Sequence, residues 1–482
     1  MGHLVGKDVF RKLGRKLDGL ETRLPWNDSL YALLKELYSE KEADVLVRMP
    51  CGLSTLDQVV TATGLEEAAV RKVLDSLTAK GLVIDLWLCE AYHYVPSPMV
   101  VGIFEFTMMR VGSSADSKRW ARLFHDYLET GGAFQAANYG GGSQVQVMRT
   151  LPHEETLSVA HLEVLDHERA SELIGKADRF AIGLCSCRHE KLHIGEKACQ
   201  VPLEKCSAFG KAADFLIRHE LAREVSRAEM EENFAQSREM GLVLNADNVK
   251  RNAKFVCHCC KCCCLPLLDV RKHGYPNAIV TSNYIAKISD ESCNGCGKCA
   301  KACPIDAISI ASNGPGAEKK AIARVDASVC LGCGVCVLSC RTGACRLERR
   351  GKRVIHPETT FERIMLQCLE KGTLQNQIFP RRDLRASPPC HWWFVTAPAP
   401  LSSPASLRLQ LSVPSHANAA EGGGRPSWFP AVPSGRGISS SRGESRTSRG
   451  PHQLYAYGDG KIDDGAAEAV QASPVITSTG TA

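Results

Sequence analysis

From Ser29 to Met49 the chain reads SLYALLKELYSEKEADVLVRM, with apolar residues returning every three or four positions, the spacing of a helix with one buried face. The next stretch, LSTLDQVVTATGLEEAAVRKVLDSLTAKGLV (53–83), predicts two more helices broken at Thr63-Gly64. LVIDLWLCEAYHYVPS (82–97) then alternates apolar and polar side chains, as two strands of a hairpin do, and ends at Pro96 and Pro98.

This block, from about Pro25 to Met109, resembles a winged-helix domain. The resemblance implies DNA binding through the second helix of the pair. That helix, Glu66 to Lys80, sets Glu66, Glu67 and Asp75 against Arg71, Lys72 and Lys80, so it carries no net charge. Phosphate contacts need a surplus of Lys and Arg. A protein-contact or architectural role is therefore expected, and nucleic acid is not.

Residues 112–270 mix helical and strand patterns. RFAIGLCSCR reads as a strand ending in cysteines, AADFLIRHELAREVSRAEMEENFAQSREMGLV as two helices, and ANYGGGSQ (137–144) as a flexible link. FERIMLQCLEKGTLQNQIF (361–379) predicts a terminal helix that packs Cys368. Beyond residue 380 the chain becomes rich in Ser, Pro, Gly and Ala without apolar periodicity, which predicts a disordered tail that includes Cys390. The expected fold is α+β and multidomain. It comprises a lead segment (1–24), a winged-helix-like domain (25–111), a cysteine-bearing α/β region (112–270), a fourth module (271–350), a terminal helix (351–380) and the tail (381–482).

Composition changes the picture at one point. The net charge of +6 over 482 residues does not argue for nucleic acid. No apolar run approaches the ~20 residues of a membrane span, and the basic N-terminus lacks the apolar stretch of a secretory signal. A cytoplasmic location follows. In that compartment 23 cysteines are not expected to form disulfides. Eighteen of them fall between Cys185 and Cys340, and such clustering points to metal or redox chemistry.

CNGCGKCAKACP gives Cys293, Cys296, Cys299 and Cys303 followed by Pro304, and CLGCGVCVLSCR gives Cys330, Cys333, Cys336 and Cys340 at the same spacing. This repeat resembles the bacterial two-cluster ferredoxin motif. Three closely spaced thiolates on a coiled loop can reach three corners of one 4Fe–4S cube. By the resemblance, each fourth cysteine serves the other cube: Cys293, Cys296, Cys299 and Cys340 hold one cluster, and Cys303, Cys330, Cys333 and Cys336 the other. Arg341 stands where the family usually has proline, next to the second motif's last cysteine, and Cys345 takes a usually apolar position as core packing. Two structural zinc sites would need eight thiolates as well, but in separated pairs.

A less familiar set precedes it. GLCSCRHEKLHIGEKACQVPLEKCSAFG supplies Cys185, Cys187, Cys199 and Cys206, with His189 and His193 given no role, and Arg188 as a candidate donor to cluster sulfide. FVCHCCKCCCLPL then places six cysteines in eight residues, from Cys257 to Cys264. As a continuous strand it would turn Cys257, Cys259 and Cys263 to one side and Cys260, Cys262 and Cys264 to the other. The run is expected to complete a third site with the Cys185 set through Cys257 and Cys260, as an iron–sulfur cluster or zinc. A separate metal site or dithiol, or packing alone, stays open. The order of winged helix, CSCR segment, cysteine run and dicluster motif resembles a class of ferredoxin-domain proteins of anaerobic microbes, and that resemblance brings no substrate.

Electron transfer through two 4Fe–4S clusters to a redox partner is the expected function. A redox enzyme with a third metal centre and a redox-responsive DNA-binding regulator are the alternatives. The sequence leaves oligomeric state open. No dinucleotide fingerprint, P-loop or nucleophile elbow stands out.

Overall fold

Helices form where the apolar spacing calls for them, and polar side chains fix where they start. Asp8 opens α1 (Val9–Leu17) by accepting from the backbone amides of Phe10 and Arg11. After α2 (Asp28–Leu37), Ser39 and Glu42 form a reciprocal capping box at the start of α3 (Glu40–Arg48), and Thr55 and Gln58 form another on α4 (Leu56–Thr63). Helix α5 (Glu67–Ala79) leads into the hairpin β2 (Val83–Leu88) and β3 (Ala91–Pro96). With the two-residue β1 (Ser54–Thr55) they form a sheet of order β1-β3-β2. The hairpin turns at Cys89 and Glu90, whose φ angles of 47° and 62° are those of a two-residue primed turn, here without Asn or Gly.

A computed structural model of the chain describes residues 8–110, 114–157, 165–313 and 320–378. The expected tail and Cys390 lie outside the described residues. Leu13, Leu17, Leu30, Leu34, Leu74 and Leu77 are fully buried in one core. That core continues into α6 (Phe104–Met109), α7 (Ser114–Leu128) and α8 (Ala133–Tyr139) through Phe104, Phe124 and Phe134. Residues 8–24, expected as a lead, are thus part of the first core, which also runs past the boundary expected at 111. The expected link at 137–144 begins as the end of α8, where the Asn138 carboxamide exchanges hydrogen bonds with the backbone of Arg23 (2.9 and 3.0 Å).

The middle region is built on one six-stranded sheet. Its strands are β4 (Met148–Leu151), β5 (Phe180–Leu184), β6 (Glu204–Phe209), β7 (Ala222–Glu224), β8 (Val243–Asp247) and β9 (Phe255–Cys259), in the order β4-β8-β9-β6-β5-β7. Every pairing is antiparallel, so the region is α+β rather than the α/β its alternating pattern suggested. Between these strands run α9 (Ala170–Lys176), α10 (Ser186–His193), α11 (Gly210–Arg218) and α12 (Arg227–Glu239). The expected pair of helices over 212–243 is present as α11 and α12, separated by β7.

After α13 (Leu265–Arg271) the chain builds two halves of like design. Strand β10 (Tyr284–Ile288) pairs with β13 (Cys345–Arg349), and β11 (Ile308–Asn313) with β12 (Lys320–Val325). The short helices α14 (Lys298–Ala302) and α15 (Val335–Leu338) lie within the two cysteine motifs and carry Cys299 and Cys336. The terminal helix is two, α16 (Thr360–Lys371) and α17 (Leu374–Ile378), divided at Gly372. They return to the first core: the Thr373 hydroxyl donates to Leu20 O (3.0 Å) and the Asn376 amide to Gly19 O (3.1 Å). Cys368 is fully buried there.

Candidate metal centres

Each ferredoxin motif lies against a strand of the opposite half. Gly295 in the first motif has φ +69°, and a Cβ there would sit 2.3 Å from the carbonyl oxygen of Ala321 on β12. Gly332 in the second has φ +72°, and its Cβ would sit 2.1 Å from the carbonyl oxygen of Tyr284 on β10. Only glycine lets the loops coil this close to a backbone.

The cysteines cross over between the halves. Cys303 lies within electrostatic reach of Cys330, Cys333 and Cys336, and Cys299 within reach of Cys336 and Cys340. Cys293, Cys299, Cys303, Cys330, Cys333 and Cys336 are buried, Cys340 is half-buried and Cys296 is exposed. Backbone amides support the sulfurs: Ala307 N–H donates to Cys303 Sγ (3.2 Å) and Cys345 N–H to Cys340 Sγ (3.4 Å). Such donors stabilise the thiolate form and tune a bound cluster. Cys345 is buried beside Cys336, and Arg341 is exposed.

The other cysteines form two neighbouring groups, and the sheet explains one of them. The β6–β9 register pairs Ser207 with Val256, and one step further it sets Cys206 opposite Cys257. Cys257 lies beside Cys206 and Cys259, and Cys259 beside Cys264. Cys264, at the start of α13, reaches Cys187 in the first turn of α10. Cys185, the residue capping α10, faces Cys187 and Cys259. The opposite side of β9 holds His258, whose Nε2 meets the Ser207 hydroxyl (2.8 Å).

The second group forms because β9 ends at Cys259 and the chain turns sharply through residues 261–263. The turn folds Cys260, Cys262 and Cys263 towards Cys199 of the preceding loop. The sulfur separations are 3.7 Å for Cys199–Cys260, 4.0 Å for Cys199–Cys263, 3.9 Å for Cys260–Cys262 and 3.4 Å for Cys262–Cys263. Interaction with Cys263 holds the Cys260 thiol well below the usual thiol range, and interaction with Cys260 raises that of Cys263. The fully buried Arg188 guanidinium donates to Pro202 O and His258 O and lies near Cys185, Cys259 and Cys260, between the two groups.

Of the six cysteines expected to share a third site, Cys260 meets Cys199 and Cys257 meets Cys206. Among the described residues, no group of atoms within 4.8 Å of one another holds more than these two of the six, Cys199 and Cys260. Cys262 and Cys263, assigned no ligand role from sequence, complete that group. The signal for them was Pro266, near the start of α13: proline suits the first turn of a helix, so the strand has to end several residues earlier. His189 Nδ1 bonds to Met108 O (2.6 Å), and His189 and His193 meet through their Nε2 atoms (2.9 Å). Cys206 and Cys257 also line a cavity of about 2230 Å³ walled in part by Glu105, Phe106 and Phe215. Burial raises the Glu105 carboxyl to about 7.

Residues 292–344 match the family model of the 4Fe-4S dicluster domain. No curated protein and no solved structure matches the chain. The chain thus carries a ferredoxin-type domain, a module that binds iron–sulfur clusters. Among the described residues no helix is long and apolar enough to cross a membrane.

Proposed function

We propose that the protein carries single electrons through two 4Fe–4S clusters, one on Cys293, Cys296, Cys299 and Cys340 and the other on Cys303, Cys330, Cys333 and Cys336. The crossing of Cys303 to the second motif carries this reading, because a cysteine so placed serves the far cube. Cys259 and Cys264 pack in the same apolar core as the ferredoxin cysteines, which supports an internal thiol centre as one destination for the electron. A partner redox protein is the other. The thiols suit a reducing compartment such as the cytosol.

Anaerobic purification followed by iron, sulfide and EPR analysis tests this. The full chain is expected to hold about eight irons in its ferredoxin domain. Cys296→Ser and Cys333→Ser are each expected to lose one cluster. Unchanged iron in both variants defeats the assignment.

A second reading, a redox enzyme, is supported by Cys206 and Cys257 in the cavity wall, where a substrate could meet a thiol centre fed by the clusters. The helices and hairpin of residues 28–96 support a winged-helix reading of the N-terminal block. A DNA-binding regulator is less well supported, because Arg71 pairs with Glu67 (2.8 Å) and Lys80 with Glu42 (2.6 Å), leaving little free positive charge for phosphate.

A further inference from the structure

We propose that Cys199, Cys260, Cys262 and Cys263 bind a single zinc ion, separate from the iron–sulfur clusters. The argument rests on sulfur spacing. Zinc binds thiolate at about 2.3 Å, so four sulfurs at the corners of a tetrahedron around it stand about 3.8 Å apart. Four of the six sulfur separations, 3.4 to 4.0 Å, straddle that value, and all six lie within 4.8 Å. A 4Fe–4S cube attaches each thiolate to a different iron, which holds the sulfurs further apart. The ferredoxin cysteines show that difference in the same molecule, since they form no such tight group among the described residues.

The surroundings fit a closed structural site. Cys260 and Cys263 are buried and Cys199 and Cys262 half-buried, and four thiolates leave no open coordination position for a substrate. Four thiolates and one divalent cation carry a net charge of −2. The buried Arg188 guanidinium, close to Cys260, offsets part of it. Binding releases a proton from each thiol still protonated and involves no change of oxidation state. Zinc is favoured over ferrous iron because a given set of ligands binds it more tightly. The ion would join the 194–203 loop to the turn after β9, between the strand end that bears Cys257 and Cys259 and the helix start that bears Cys264.

The experiment measures zinc, iron and acid-labile sulfide separately in the anaerobically purified full chain. One zinc per chain is expected, with zinc-edge X-ray absorption showing four sulfurs at about 2.3 Å. Cys263→Ser is expected to lose the zinc while keeping the iron and sulfide. Cys296→Ser is expected to do the reverse, losing iron and keeping zinc. Cys262→Ser replaces a half-buried ligand, and zinc should leave it many-fold faster to a chelator than it leaves the parent, even if Cys263→Ser does not fold. Absence of zinc from the parent chain overturns the proposal. So does loss of iron and sulfide together from Cys262→Ser, which would mark a cluster at these thiols, or a mixed oxygen and nitrogen shell around the zinc. Because iron is assayed independently, failure here leaves the electron-transfer reading standing, and failure of that reading leaves the zinc result intact.

Discussion

Lys261, in the middle of the cysteine run, forms an ion pair with Asp306, two residues past the proline that closes the first ferredoxin motif. Arg271 approaches the other oxygen of the same carboxylate at 3.8 Å. The turn that gathers three thiols is thereby tied to the ferredoxin domain by charge as well as by apolar packing.

Lys261→Glu should cost less than about 1 kcal/mol, because both partners are substantially exposed and water screens the pair. The loss should shrink further in high salt. Urea unfolding at two ionic strengths checks this. A cost of several kcal/mol that salt does not change would mean that the lysine also supports the thiol turn itself.

Gly332 offers a sharper test. Its φ of +72° costs an alanine about 1–2 kcal/mol on backbone grounds alone. The new methyl would also strike Tyr284 O, so the loop has to move and the second cluster should be lost. Gly343 has almost the same φ, +69°, but open space around it. Gly343→Ala should show the backbone cost and keep its iron. Equal iron content in the two variants would contradict the close packing of motif on strand.

His356 is buried, with Nδ1 2.8 Å from Asn248 Oδ1, and burial followed by the charge of Arg149 holds its pKa down to about 3. Its neighbour His167 is held down to about 4 by burial and the same arginine. Lys250 adds to the positive field on both, and Glu358 opposes it at His167. Both imidazoles are neutral in the folded chain but gain a proton near pH 6.5 once unfolded. Their contribution to stability is complete above about pH 6.5. It falls away as pH drops towards the folded values, by at most about 1.4 kcal/mol per pH unit for each imidazole. Denaturant unfolding at pH 7 and pH 5 should show the decline, and His356→Gln should reduce its slope while His167 preserves part of it.

The full chain should bind duplex DNA weakly at physiological salt and without sequence preference. Arg71 and Lys80 are held by acidic partners, and the helix that bears them has no net charge. Footprinting or a fluorescence titration with mixed-sequence duplexes decides it, and sub-micromolar, sequence-dependent affinity would favour a regulator.

The ferredoxin domain was legible because its chemistry is local: each motif brings three thiols together within a dozen residues, and spacing alone records it. The hairpin of 82–97 was legible for the same reason. The first core was not, because Leu13, Leu30 and Phe124 share it across long separations, and apolar spacing names a buried face but not its partner. The thiol groups were half legible. Alternation along a strand correctly set Cys257 and Cys259 on one side, but it was carried past Cys259, where β9 stops. Once the chain turns, Cys260, Cys262 and Cys263 are free of alternation and can share one centre. Their fourth member, Cys199, is brought in by a loop whose course depends on β6 pairing with β9.

Strand β9 lies inside its sheet, with β8 on one side and β6 on the other. Cys206 and Cys257 therefore become neighbours only after pieces of chain distant in sequence have zipped together, and the turn bearing Cys260 to Cys263 starts from that same interior strand. In a growing polypeptide Cys185, Cys187, Cys199 and Cys206 would emerge from the ribosome well ahead of the Cys257–Cys264 run that partners them, as reactive groups still without their fellow ligands. The ferredoxin motifs need no such wait, since each gathers three ligands within a few residues. Maturation of the two kinds of centre would then run on different clocks, with protection of the unpaired thiols most needed in the interval between them.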